Sequence, residues 1–296
     1  MSPRRLFVLT LLAMIAFAGN SLLCRSALKQ TGIDPASFTF IRIASGALAL
    51  WMIVKMRGGA RGAGNWPSAV ALFVYAGGFS FAYVTLPAAT GALLLFGAVQ
   101  ATMIGYGLWS GERLTGGQVV GLIVAFGGLI GLLLPGLTAP PLRGALLMLG
   151  AGAAWGIYSL RGKGAGDPTS VTAGNFLRAV ALAAGLSIAT LPSASPDRSG
   201  FVYAMLSGAL TSGVGYAIWY TALSGLKATN AATVQLSVPV IAAAGGILFL
   251  GEPITLRLLL ASIAILGGVA SVIFVKQRAE EKPNCNRTEI VSQEKK

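Results

Sequence analysis

A chain of 296 residues that is 55% apolar and only 10% charged, with a mean hydropathy of +0.75, is not a water-soluble globule, since charged residues alone make up about a quarter of those. A transmembrane helix takes about 20 residues, so roughly ten spans with short loops fill this length and leave no room for a large soluble domain. The formal charge of +13 is scattered singly between apolar runs, which excludes a nucleic-acid surface, while zero histidines and two cysteines, Cys24 and Cys285, exclude a disulfide framework and the usual metal sites.

Apolar runs at 6–24, 36–54, 67–85, 89–110, 116–134, 142–160, 170–191, 200–223, 229–250 and 256–275 predict an all-α integral membrane protein of ten transmembrane helices. Turn chemistry separates them, at Asp34-Pro35, Leu86-Pro87, Gly111-Glu112, Asp167-Pro168 and Gly251-Glu252-Pro253 among other places. The first run has a competing reading: Arg4-Arg5, an apolar stretch and Ala16-Phe17-Ala18 have the layout of a signal peptide. The span reading keeps a partner for a later segment in the repeat described next. Residues 277–296 are polar and read as a disordered cytoplasmic tail. With both termini cytoplasmic, the inner side carries eleven Lys and Arg and the outer side five, Arg25, Lys29, Arg143, Arg198 and Arg257, as the positive-inside rule requires.

The chain repeats itself. A shift of 140 residues lays Gly111-Glu112 on Gly251-Glu252, Thr115 on Thr255, Gly127-Gly128 on Gly267-Gly268 and Phe79 on Trp219. A shift of 136 lays Arg25 on Arg161 and Phe40-Ile41-Arg42 on Phe176-Leu177-Arg178. Residues 1–135 and 136–276 then form two five-helix repeats. An odd number of spans inserts the second half upside down, the inverted repeat of many secondary transporters, in which a shared central site opens first to one side and then to the other.

The duplicated Gly-Glu-x-hydrophobic-Thr element with its following Gly-Gly, Trp155-Gly156 early in the second half, and the Phe-x-Arg of the second and seventh spans resemble the EamA family of the drug/metabolite transporter superfamily. The resemblance covers residues 6–275. It implies a ten-helix carrier, usually an exporter of amino acids or other small metabolites, similar to the aromatic amino-acid exporters. Ala18-Gly19-Asn20 stands where the family often has Trp-Gly, and Val99 where the second half has Pro239.

Several residues carry a functional reading beside a structural one. Glu112 and Glu252 suit hairpins capped by glycine and threonine, or gate charges that pair when a face closes. Arg42 and Arg178 lie inside spans, where an unrelieved charge costs about 2.5 to 3.5 kcal/mol; they fit a structural place at the repeat interface by snorkelling or bonding helix-end carbonyls, or recognition of a substrate carboxylate. Rings recur at helical spacing in Tyr75, Phe79 and Tyr83, in Tyr216, Trp219 and Tyr220, and in Trp155 and Tyr158. They read as packing or belt residues, or as the wall of a cavity that stacks on bulky side chains. Asn20, Gln100 and Gln235, with the other neutral polar groups of the spans, bond helix to helix or hold a zwitterion. Pro239 removes a backbone bond in the ninth span and offers a hinge.

The five acids ahead of the tail, Asp34, Glu112, Asp167, Asp197 and Glu252, fall at helix ends or loops, so no proton relay through buried carboxylates is visible. The expected function is a secondary carrier of amino acids, aromatic and bulky neutral ones included, and related metabolites, working as an exporter in a bacterial inner membrane. A drug or sugar-derivative carrier of the same fold is the alternative. A membrane enzyme is the remote rival, and the chain offers it no histidine, phosphate loop or intramembrane acid pair. Neither cofactor, metal, nucleic acid nor obligatory protein partner is called for; the expected partners are a small-molecule substrate and membrane lipids.

Overall fold

The computed structural model describes residues 2–58, 63–111, 113–136, 139–162, 166–226 and 234–273, and among these it is all helical. The helices are α1 (Pro3–Gln30), α2 (Pro35–Met56), α3 (Trp66–Tyr83), α4 (Ala88–Trp109), α5 (Gly116–Leu133), α6 (Leu142–Arg161), α7 (Pro168–Ala189), α8 (Arg198–Leu223), α9 (Ser237–Leu250) and α10 (Leu256–Ile273). Seven of them, α1, α2, α4, α5, α7, α8 and α10, are long and apolar enough to cross a membrane. The protein is thus a multi-pass membrane protein. Its outward surface agrees, since Leu11, Ile15, Trp51, Val120, Ile123, Leu260 and Ile263 are exposed, as side chains facing lipid are.

Local chemistry sets the helix starts. Asp34 and Asp167 cap α2 and α7 by accepting the backbone N–H groups of Ala36 and Ser37, and of Thr169 and Ser170, and a proline follows each cap where its missing donor costs nothing. Thr115 and Gln118 form a capping box at the start of α5. Gly251 closes α9 in the left-handed conformation, with φ of 61°, which a residue without a Cβ adopts at no steric cost.

Helix α3 packs on α6, α6 on α4, and α2 on α7 and α8. Small residues permit this closeness. A Cβ on Gly208 would stand 2.1 Å from the Arg42 carbonyl, so α8 touches the α2 backbone there. Helices α10 and α5 touch in the same way, for a Cβ on Gly268 would lie 2.4 Å from the Gly121 carbonyl.

Helix ends gather on two opposite faces. On the first, Arg25 reaches the end of α3, Ser195 N donates to Asp34 Oδ2 at 3.0 Å, and Arg257 donates to the Leu134 carbonyl at 2.6 Å. On the second, Asn65 N donates to Asn175 Oδ1 at 2.9 Å and Arg161 Nε donates to Ser68 Oγ at 3.1 Å.

Two sequence expectations change here. The first span does not end near residue 24: α1 continues to Gln30, so Arg25 is a buried helix residue rather than a loop charge. The ninth span, expected over 229–250, is described only from residue 234, with a turn at Leu236 between the helical residues 234–235 and α9. Pro239 therefore sits in the first turn of α9, where its missing N–H is tolerated. Glu112, Asn230, Thr233 and the tail lie outside the described residues.

Candidate functional site

Side chains from both halves converge between α1, α3, α4, α6 and α8. Phe17, Asn20, Tyr75, Phe79, Leu95, Phe96, Trp155 and Tyr216 line a buried chamber. Its rings are in contact: Tyr75 to Phe79 at 5.5 Å between centroids, Tyr75 to Trp155 at 4.8 Å, Trp155 to Tyr216 at 5.1 Å, and Tyr216 edge-on to Phe17 at 5.8 Å. The space left is about 20 Å³, room for about one water molecule. A substrate with a side chain fits only once the helices separate.

A polar network crosses this chamber. Tyr75 Oη accepts from Asn20 Nδ2 at 3.2 Å and from Arg42 Nη2 at 3.0 Å, and Asn20 Oδ1 accepts from Ser207 Oγ at 2.7 Å and Thr211 Oγ1 at 3.3 Å. Ser207 and Thr211 are delivered by a π-helical stretch, Leu206–Val214, in the middle of α8. Wider turns of this kind interrupt the regular i→i−4 ladder and recur at functional sites. Arg42 is 2% exposed, and its guanidinium carbon lies 4.8 Å from the Phe79 ring centroid and 5.2 Å from that of Tyr75. It does not snorkel. Its repeat counterpart Arg178 behaves as expected of a helix-end contact, donating to the Ala63 and Gly174 carbonyls, both at 2.9 Å.

On the first face a buried ion pair joins the two halves. Arg25 Nε meets Glu252 Oε1 at 3.0 Å, and its Nη1 donates to the Tyr83 and Val84 carbonyls at 2.9 and 3.1 Å. The other carboxylate oxygen of Glu252 accepts the Ala88 N–H at 2.7 Å. Helix α4 begins after Pro87 with no side-chain cap of its own, so Glu252 caps it from the second half, where the positive end of the helix dipole favours a carboxylate. One acidic side chain thus ties the α9–α10 turn to α1 and α4.

Of the sequence-predicted site residues, the structure brings Asn20, Phe79, Trp155 and Tyr216 to the chamber wall. Tyr158 and Tyr220 lie toward the second face in a separate cluster with Asn175, Arg161 and Ser68. Trp219 is buried behind Phe17, with ring centroids 5.8 Å apart. Tyr83 packs at the first face and donates to the Ala88 carbonyl at 3.3 Å. Gln100 is buried on α4 beyond Phe96, its Nε2 without a hydrogen-bond partner, and Gln235 is half-buried just ahead of α9. Sequence reasoning missed Phe17, Ser207, Thr211 and the role of Arg25, and took Tyr75 as one ring of a stripe rather than the hub of the network. A signal existed for Phe17, three residues from Asn20 on one helical face. Nothing in the sequence announces the π-helical stretch.

The EamA-like transporter family model matches residues 142–274. The chain is 58% identical over 275 residues to the uncharacterized protein PA1977 of Pseudomonas aeruginosa, covering 92% of this chain and 96% of that one. It is 32% identical over 154 residues to the threonine/homoserine exporter RhtA of Escherichia coli, a match of 48% of this chain and 49% of RhtA. A protein crystal structure at 20% identity superposes with a TM-score of 0.67 over 94% of this chain and all of that one, which shows the likeness of fold. These matches place this multi-pass helical membrane protein among membrane transporters. The chain belongs to the EamA family of the drug/metabolite transporter superfamily.

Proposed function

We propose that this protein is an amino-acid exporter of a bacterial inner membrane, built as ten spans in two inverted five-helix repeats, 1–135 and 136–276, and working by alternating access with both termini cytoplasmic. One observation carries the reading: a ring-walled chamber shared by the two halves and too small for a substrate, with a buried Arg25–Glu252 pair joining the halves at the first face. A site formed at a repeat interface and closed by a breakable contact is what alternating access requires. Glu252 is read as a gate charge that parts from Arg25 when the first face opens, and Glu112, its match in the sequence repeat, as a gate charge of the other face.

RhtA is named for threonine and homoserine. The aromatic walls favour larger side chains in this carrier, because stacking adds about 0.5 to 1.5 kcal/mol per ring pair beyond area burial. The test is counterflow of labelled L-phenylalanine and L-threonine into proteoliposomes, with and without a pH gradient. Exchange of phenylalanine without the gradient supports a facilitating exchanger. No movement of either amino acid under both conditions refutes the amino-acid reading, and strict gradient dependence refutes facilitation.

A further inference from the structure

We propose that Arg42 is the carboxylate anchor of the central site, so that the carrier selects organic acids and takes amino acids by their carboxylate end. This rests on the transport reading and names what the site recognises.

The charge of Arg42 is unbalanced. It is among the largest fully buried side chains of the described residues, and no described carboxylate lies within ion-pair distance of it. The described acids ahead of the tail are committed elsewhere: Asp34 to Ala36, Ser37 and Ser195, Asp167 to Thr169 and Ser170, Asp197 to Gly200, and Glu252 to Arg25 and Ala88. Ring faces soften the cost of burying a cation without replacing a counter-ion. Nη1 of Arg42 is buried with no hydrogen-bond partner. Buried donors are ordinarily satisfied, and an orphan one calls for an explanation.

The neighbouring group points the same way. Tyr75 Oη accepts from both Asn20 and Arg42, and the Tyr216 hydroxyl stands beside it as a further hydrogen-bond partner. Arg42 stands behind the chamber wall, bonded to the lining Tyr75, so its orphan Nη1 is the unspent donor nearest the chamber, and a carboxylate accepts such a donor in a charge-assisted bond. No acid lines the chamber to receive an ammonium group. That end of an amino acid is left to the faces of Trp155, Tyr216 and Phe17, a weaker interaction. The carboxylate is therefore the obligatory group and the amine a dispensable one. Repeat symmetry alone does not impose this, because Arg178 spends bonds on the Ala63 and Gly174 carbonyls.

The experiment measures binding to the purified full chain of four probes: L-phenylalanine, 3-phenylpropionate, phenylalaninamide and phenethylamine. The two acids are expected to bind, and the amide and amine to bind at least about ten-fold more weakly, the loss typical of a missing charge-assisted contact. Arg42→Gln should bring the acids down to the level of the amide. In the empty carrier Arg42→Met should melt no lower than the natural protein, since it removes an unpaired buried charge. An amide that binds as tightly as its acid, failure of both acids to bind, or undiminished acid binding by Arg42→Gln overturns the anchor. Loss of folding in both variants overturns it too, by showing a structural arginine, and the acid–amide comparison on the natural chain needs neither variant. Acid binding through Arg42 with no amino-acid counterflow leaves the anchor and removes the transport reading; counterflow that takes amides equally well does the reverse.

Discussion

Replacing Glu252 by glutamine keeps the shape of the first-face contact and removes its charge. In the natural chain the carboxylate lies 3.0 Å from Arg25 Nε and is 7% exposed, so little water screens the pair. Breaking a buried ion pair by removing one partner costs about 3 to 5 kcal/mol. Arg25 keeps its bonds to the Tyr83 and Val84 carbonyls, and the new amide oxygen still accepts from Ala88, so the loss falls at or below the low end, about 2 to 3 kcal/mol. That penalty applies to the closed first face alone, and at 1.4 kcal/mol per decade it raises the population open there by roughly 30- to 150-fold. Cys24 reports the opening. It is fully buried on α1, on the helix face of Asn20 four residues before it and one turn nearer the level of Arg25. With Cys285 changed to serine, Cys24 is the single thiol. A membrane-impermeant maleimide, applied separately to each side of the membrane, should label Glu252→Gln much faster than the Glu252 parent, and from one side only. A double-mutant cycle with Arg25→Gln isolates the pair from the separate loss of its carbonyl bonds. An unchanged labelling rate in a well-folded Glu252→Gln would refute the gate.

Three further outcomes follow from the geometry. Gly208→Ala puts a methyl group against the Arg42 carbonyl and Ser45 Oγ; backbone cannot retreat as a side chain tip does, so a loss of about 1 to 3 kcal/mol or more is expected, read as a lowered melting temperature of the purified protein. Trp155→Ala, at the chamber wall, should impair phenylalanine counterflow more than threonine counterflow, while Trp219→Ala, behind Phe17, should lower stability without changing that preference; equal shifts in preference would place both rings on the substrate path. Burial pushes the Asp34 carboxyl up, but hydrogen bonds from Ser37, Ser195 and Ala36 outweigh it and hold the group below its ordinary value of 3.8. Its stabilising share is then complete above 3.8 and is lost as pH falls through the depressed folded value. Asp34→Asn, which still caps, should flatten that acid limb of a melting curve while costing at most about 1 kcal/mol at neutral pH.

What the sequence determined about this protein is what the bilayer dictates locally. Apolar runs, Asp-Pro starts such as Asp34-Pro35 and Asp167-Pro168, and the glycine end at Gly251 specify helices residue by residue, because hydrocarbon forces each backbone segment to satisfy its own hydrogen bonds. The EamA relationship was legible for the same reason, carried by short elements at fixed spacing. Side-chain partners were not. Arg25 reads as a loop charge until α1 is seen to run on to Gln30 and meet Glu252, 227 residues away. Arg42 and Arg178 are equivalent in the repeat, and only the packing of α3 against α2 gives the first a tyrosine and two rings while the second meets the carbonyl of Ala63. Helical spacing says which residues share a face. Which way that face points depends on neighbours distant in the chain, whose approach is set by small residues and by a π-helical turn that leaves no local mark.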